Sequence, residues 1–210
     1  MLVAFDFDGT LSDAELSMLL AEEKGVAREV AGIVTRATNG DVDYAESLRD
    51  RADLLEGLPE EQAHAAFNRS RLRPGAAEML SDLRDDGHHV AIITGGFERG
   101  VRAALDDAGV DVDTLVANRL PTENGALTGD VEGELLDRGK DDVLEEIAVE
   151  QDVPLAETIA VGDGSSDLPM LQTATEGIGF RPAPIVRQEA DTVLASIQNL
   201  HLRLAEHDIA

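Results

Sequence analysis

Apolar residues in this chain fall into short continuous runs separated by longer stretches with helical spacing. Leu2–Phe5 is one such run, of the kind seen in a strand buried on both faces. Residues 90–93 form a second, followed by Thr94-Gly95-Gly96, and residues 158–161 a third, followed by Gly162-Asp163-Gly164. Residues 115–117 are a weaker fourth. Between the runs, helical patterns cover residues 74–86, 98–108, 140–150 and 169–174. Pro74 suits a first helical turn and Gly87 a helix end. Strands that alternate with helices call for right-handed crossovers, hence an α/β fold with a parallel sheet.

Residues 14–71 break this rhythm. They hold no strand-like run, and four helical patterns fill them, at 14–23, 28–37, 44–55 and 60–69. Gly25, Asn39-Gly40 and Gly57-Leu58-Pro59 separate these. The expectation is a small all-helical insertion over the sheet edge, hinged near Ser12-Asp13 and Leu72-Arg73. Asn124-Gly125, between Leu120 and Leu127, signals a hairpin turn.

The chain has 210 residues, 43% of them hydrophobic, which is enough for a packed core. Its longest apolar runs are far below the ~20 residues that cross a bilayer, so no membrane partner is expected. The opening residues carry no basic segment, so no signal peptide is expected. With no cysteine, thiolate catalysis and Cys-ligated metals are excluded. A net charge of −26 disfavours nucleic acid, because an acidic surface repels phosphate backbones. A cytoplasmic protein is the expectation. Lys+Arg number 17, of which only Lys24 and Lys140 are lysine, and the acid is spread along the whole chain. Such a surface suits a salt-rich, halophilic cytoplasm, where counterions screen self-repulsion. An ordinary acidic protein is the alternative.

Asp6-Phe7-Asp8-Gly9-Thr10 follows the first strand directly, where ligands sit in open α/β sheets. Two carboxylates so close repel unless a cation lies between them or one is protonated. Asp163 and Asp167, in Gly162-Asp163-Gly164-Ser165-Ser166-Asp167, join them in an all-oxygen donor set of the type that takes Mg²⁺, although the stretch alone is also ordinary loop chemistry. Thr94, Gly95 and Gly96 offer a hydroxyl and amides to a phosphate, or form a plain turn. Lys140, at a helix start in a lysine-poor chain, is accounted for by a phosphate partner, since the helix dipole disfavours a cation there. Lys24 reads as a solvated helix end and His88-His89 as structural. Arg49 and Arg51 lie in a helix where plain ion pairing with acids is an alternative.

Taken together these residues resemble the haloacid dehalogenase-like hydrolase superfamily. Glu15, 47–51, Phe97, 117–120 and 127–133 are similar to its phosphoserine phosphatase family. The resemblance implies a Rossmann-like core over 1–13 and 72–210, and a specificity cap over 14–71. It implies that Asp6 is the nucleophile, that Asp8 is general acid and then base, and that Mg²⁺ sits on Asp6, the Asp8 carbonyl and Asp163, with Asp167 in support. Thr94, Gly95, Gly96, Ser166 and Lys140 would serve the phosphoryl group. Glu15 would meet the ammonium and Arg51 the carboxylate of O-phosphoserine, hydrolysed to serine in serine biosynthesis by a monomer or homodimer. Thr94, Ser166, Thr38 and Tyr44 stand where the family more often has Ser, Asn, Met and Phe. A related phosphatase or phosphotransferase, and a non-catalytic phosphometabolite-binding protein, are the other readings.

Overall fold

The first strand, β1 (Leu2–Phe5), is completely buried and leads straight into the acidic loop. The computed structural model describes residues 1–206. After β1 come four helices, α1 (Leu16–Lys24), α2 (Ala27–Thr38), α3 (Tyr44–Leu54) and α4 (Glu60–Phe67). The chain then passes through α5 (Ala76–Asp85), β2 (His89–Phe97), α6 (Glu98–Ala108), β3 (Thr114–Asn118) and a hairpin of β4 (Thr122–Glu123) and β5 (Ala126–Leu127). It finishes with α7 (Lys140–Glu150), β6 (Thr158–Gly162), α8 (Leu168–Thr173), β7 (Glu176–Phe180), α9 (Pro184–Glu189), β8 (Thr192–Leu194) and α10 (Ile197–Ala205).

Six strands form one parallel sheet in the order β3-β2-β1-β6-β7-β8. Alternation along the strands divides the core into two layers. Val3, Phe5, Val90, Ile92, Val161 and Phe180 face α5, α6 and α10, while Leu2, Ala4, Ala91, Ile93 and Ala160 face α7, α8 and α9. Each large apolar side chain so buried contributes roughly 1.5–3 kcal/mol, which offsets the cost of ending the strands in carboxylates. The switch point of the sheet lies between β1 and β6, and the loops after both strands open there.

Two features differ from the sequence expectation. The four-helix insertion lies across the carboxyl ends of the strands, not over the sheet edge: Val34, Thr38 and Tyr44 share a cavity wall with Asp6, Thr94 and Asp163. Its apolar residues, among them Leu16, Leu20, Leu48 and Phe67, are continuous with the first core layer. Pro74 precedes α5 in a turn instead of starting it; Gly75, with φ of 85°, is the residue that enters the helix. The Asn124-Gly125 turn forms as expected, with φ of 52° and 79°. The hairpin it closes is stitched to the insertion, through Gly57 N–H to the Leu127 carbonyl (2.8 Å) and Leu127 N–H to the Leu58 carbonyl (2.9 Å).

Candidate active site

Asp6 is the first residue past β1, and its N–H still donates to the Val161 carbonyl of β6 at 2.8 Å. That last ladder bond fixes the point at which the chain leaves the sheet. Lys140, the first residue of α7, sends its ammonium back to the same place. Nζ donates to Asp6 Oδ1 and to Asp167 Oδ1, both at 2.6 Å. All three residues are buried. The other Asp167 oxygen accepts from the N–H groups of Asp163 (2.8 Å) and Gly164 (2.9 Å). Asp167 is therefore held from both ends. Carboxylate oxygens of Asp6, Asp163 and Asp167 lie within 4.8 Å of one another.

Crowding acids without water raises their proton affinity. Burial first, and the Asp167 charge second, push the Asp6 carboxyl up to about 7, against the pull of Lys140. Asp163 is raised well above the carboxylate range by burial, then Asp167 and Asp6. Asp8 is raised likewise by burial, then Glu15 and Asp6, although the first N–H of α1, at Leu16, donates to its Oδ1 at 3.2 Å. Burial works to lower the Lys140 ammonium, but Asp167 and Asp6 outweigh it and hold it above the usual lysine range. The cluster thus has one firmly charged cation and an excess of carboxylates that cannot all ionise unaided. An all-oxygen set with unbalanced negative charge fits a hard divalent cation.

Strand β2 supplies the opposite wall. Its pairing with β3 slips between Thr94 and Phe97, which takes Gly95 and Gly96 out of the regular ladder. Thr94 Oγ1 accepts from Gly96 N–H at 3.1 Å. A Cβ on Gly96 would stand 2.6 Å from Asp8 Oδ2, and one on Gly95 would collide with the Tyr44 hydroxyl at 2.1 Å. Only glycine lets the acid and the ring approach this closely.

The sequence-derived residues converge on two adjoining cavities, with two exceptions, Gly96 and Arg51. Asp6, Asp8, Glu15, Thr94, Asp163, Ser166 and Asp167 line one cavity of about 210 Å³. Gly95 and Lys140 line an adjoining cavity of about 360 Å³, and Tyr44 and Ser166 border both. Arg51 lines neither. It is 1% exposed, lies behind Glu15 with Nη1 on Glu15 Oε1 (3.1 Å), and has the Tyr44 ring 5.5 Å away. Its Nη2 is buried with no hydrogen-bond partner among the described residues. Arg49, by contrast, points outward and pairs with Asp137 at 3.8 Å. Lys24, expected to be a solvated helix end, donates to the Glu56 carbonyl.

Three supporting residues went unassigned in the sequence. Asn118, at the end of β3, donates from Nδ2 to the Gly95 carbonyl at 3.0 Å and so steadies the glycine bulge. Ser165 Oγ donates to the Ala37 carbonyl at 2.7 Å, tying the end of α2 to the Asp163 loop. Arg73 binds the carbonyls of Gly9 and Thr10. Asn118 falls in one of the stretches that carried the resemblance, Ser165 in the motif over 162–167 and Arg73 at an expected hinge, but none of the three had a role assigned.

The sequence pattern of haloacid dehalogenase-like hydrolases matches residues 3–172. The phosphoserine phosphatase of Halobacterium salinarum is 46% identical over 209 residues, covering all of this chain and 99% of its own. That of Methanocaldococcus jannaschii is 40% identical over 191 residues, 90% of each chain. A solved phospho-aspartyl intermediate analogue of phosphoserine phosphatase superposes with a TM-score of 0.91 at 38% identity, over 97% of both chains. A substrate-bound phosphoserine phosphatase complex gives 0.90 at 37%. Likeness of this extent runs through both the sheet and the helical insertion, and the chain belongs to the haloacid dehalogenase-like hydrolases, within their phosphoserine phosphatase family.

Proposed function

We propose that the protein is a Mg²⁺-dependent phosphomonoesterase whose substrate is O-phospho-L-serine. The observation that carries this reading is the Asp6–Lys140–Asp167 bridge with Asp163 beside it, at the carboxyl ends of β1 and β6. Asp6 Oδ attacks phosphorus, the bond to the serine oxygen breaks, and an aspartyl phosphate forms. Asp8 gives its proton to the departing serine oxygen and then takes one from the water that attacks the aspartyl phosphate, whose bond from phosphorus to Asp6 Oδ breaks to release phosphate and restore the carboxylate. Its raised proton affinity suits the first of these roles. Thr94, the Gly95 and Gly96 amides, Ser166 and Lys140 hold the phosphoryl oxygens as charge develops on them.

Asp6, Asp163 and the Asp8 carbonyl would hold Mg²⁺, and Asp167, with both oxygens already engaged, orients the group. Bound there, the cation neutralises phosphoryl charge and lets the carboxylates ionise together. Residues 14–71 act as the specificity cap. Glu15 faces the cavity and meets the substrate ammonium, and the free Nη2 of Arg51 is the donor a substrate carboxylate satisfies. The shielding of Arg51 behind Tyr44 favours a second reading, a small phosphomonoester with an amine but no carboxylate. The acidic, lysine-poor surface supports a halophilic cytoplasm as the setting, and the release of serine from O-phosphoserine supports a place in serine biosynthesis.

A panel of phosphorylated metabolites assayed with Mg²⁺ in molar KCl tests the proposal. Phosphate release from phosphoserine at a kcat/KM at least about tenfold above O-phosphoethanolamine is the expected result. The reverse order overturns the substrate, and no release from any member overturns the reaction.

A further inference from the structure

Arg73 stands where the chain returns from the helical insertion, two residues before the αL glycine that opens α5. Its N–H donates to the Leu11 carbonyl at 2.7 Å, its Nε to the Thr10 carbonyl at 2.9 Å and its Nη2 to the Gly9 carbonyl at 2.9 Å. One residue thus takes three successive carbonyls of the loop that carries Asp6 and Asp8. The guanidinium rests over the ring of Phe180, 5.5 Å from its centre, and that ring is fully buried at the end of β7. The donor is therefore anchored from below as well as by its bonds.

The same loop residues meet Asp163. Gly9 adopts φ of +84°, and a Cβ there would lie 2.6 Å from both Asp163 oxygens. Thr10 Oγ1 donates to Asp163 Oδ1 at 3.2 Å. Any drift of the Gly9–Thr10 backbone therefore moves Asp163 and the neighbouring Asp8 carbonyl relative to each other. Arg73 itself does not line the substrate cavity.

We propose that Arg73 is a positioning residue for the divalent-cation site, acting through the carbonyls of Gly9, Thr10 and Leu11. This rests on the Mg²⁺ reading above. A fork that supplies two side-chain donors in fixed geometry suits the task, whereas a lysine ammonium is a single rotatable point donor without that fixed geometry. Residues that orient metal ligands from behind typically change metal affinity by roughly 10–100-fold when lost.

The test is calorimetric titration of Mg²⁺ into the substrate-free protein in molar KCl, for wild type, Arg73→Gln, Arg73→Lys and Arg181→Gln. The last removes a guanidinium that lies over the same Phe180 ring at 5.7 Å but donates to the Ala195 carbonyl instead. The Mg²⁺ Kd is expected to rise about tenfold in Arg73→Gln, less in Arg73→Lys, and not at all in Arg181→Gln. In hydrolysis, Arg73→Gln should lose rate at low Mg²⁺ and regain it at saturating Mg²⁺, with KM for phosphoserine within about twofold of wild type. If Arg73→Gln does not fold, Arg73→Lys carries the test. Unchanged Kd in the folded Arg73 variants, or an equal rise in Arg181→Gln, overturns the assignment and leaves the phosphatase reading standing. A wild-type protein that binds no Mg²⁺ overturns the metal reading and this one with it.

Discussion

At the strand ends, Lys140 is shared between Asp6 and Asp167 at 2.6 Å each, and Asp167 is bonded through both of its oxygens. In the helical insertion, Arg51 gives Nη1 to Glu15 and to Ser17 Oγ and leaves Nη2 with no partner among the described residues. The first cluster has more acid than it can ionise but few free hydrogen-bonding atoms. The second has its charges matched but a buried donor unsatisfied. A buried unsatisfied donor costs roughly 1–3 kcal/mol, a cost that a ligand accepting from it would remove. Under the proposed function the difference divides the labour: the strand ends would take any phosphoryl group, whereas the insertion would be completed only by the rest of the substrate.

The largest effect separates the two clusters completely. Asp6→Asn keeps the shape of the strand end and removes the nucleophile. Turnover of every phosphomonoester should fall by about 10⁴-fold or more, whatever its alcohol. Quench-flow with radiolabelled substrate should trap no phosphorylated protein. Residual turnover that depends on the alcohol would place the decisive chemistry in the insertion and dissolve the comparison.

The strand-end cluster was legible in the sequence because its parts are contiguous. An apolar run followed at once by Asp6-Phe7-Asp8, and another by Gly162-Asp163, place acids at strand ends without knowledge of the fold. β7 and β8 carried no such signal. β7 interleaves Glu176, Gly177 and Gly179 with its apolar residues, and β8 is an edge strand of 3 residues. Glu176 is tolerated there because Thr192 Oγ1 and Arg203 Nε donate to it at 2.7 and 3.0 Å. In the insertion, helical spacing located Arg51 but not its depth. Arg49 and Arg51 differ by two positions on one helix, and only tertiary packing sends one to solvent and the other beneath Tyr44. Arg73 was placed only as part of a hinge for a related reason: its position in the sequence says nothing of the three carbonyls it will meet.

A smaller effect sharpens the division within the insertion. Arg51→Lys keeps a cation beside Glu15 but loses the fork. KM for phosphoserine should rise by about 10–100-fold, as expected for a charged hydrogen bond of about 1.5–3 kcal/mol. KM for O-phosphoethanolamine, which lacks the carboxylate, should stay within about twofold. Steady-state kinetics on the two substrates decide it. Equal losses on both would make Arg51 a support for Glu15 and nothing more, and the selective cluster would reduce to Glu15.

The smallest effect concerns how the strand-end cluster tolerates its own charge. In the unfolded chain Asp6 titrates near 3.8, whereas burial and Asp167 raise it to about 7 in the folded, metal-free protein. Between those values the native state holds a proton that the unfolded chain has released, so this group's contribution to stability falls as pH rises from about 4 to about 7 and is level above. A divalent cation on Asp6 and Asp163 reverses the sign, because it favours the ionised carboxylates. Added Mg²⁺ should therefore raise Tm more at pH 8 than at pH 5.5. At about a hundredfold excess over Kd the gain at pH 8 is about 5–10 °C for a chain of this size. Thermal melts with and without Mg²⁺, at constant molar KCl so that surface screening does not vary, measure it directly. Equal gains at both pH values would mean that Lys140 alone keeps Asp6 ionised, and the strand ends would then be as well matched in charge as the insertion.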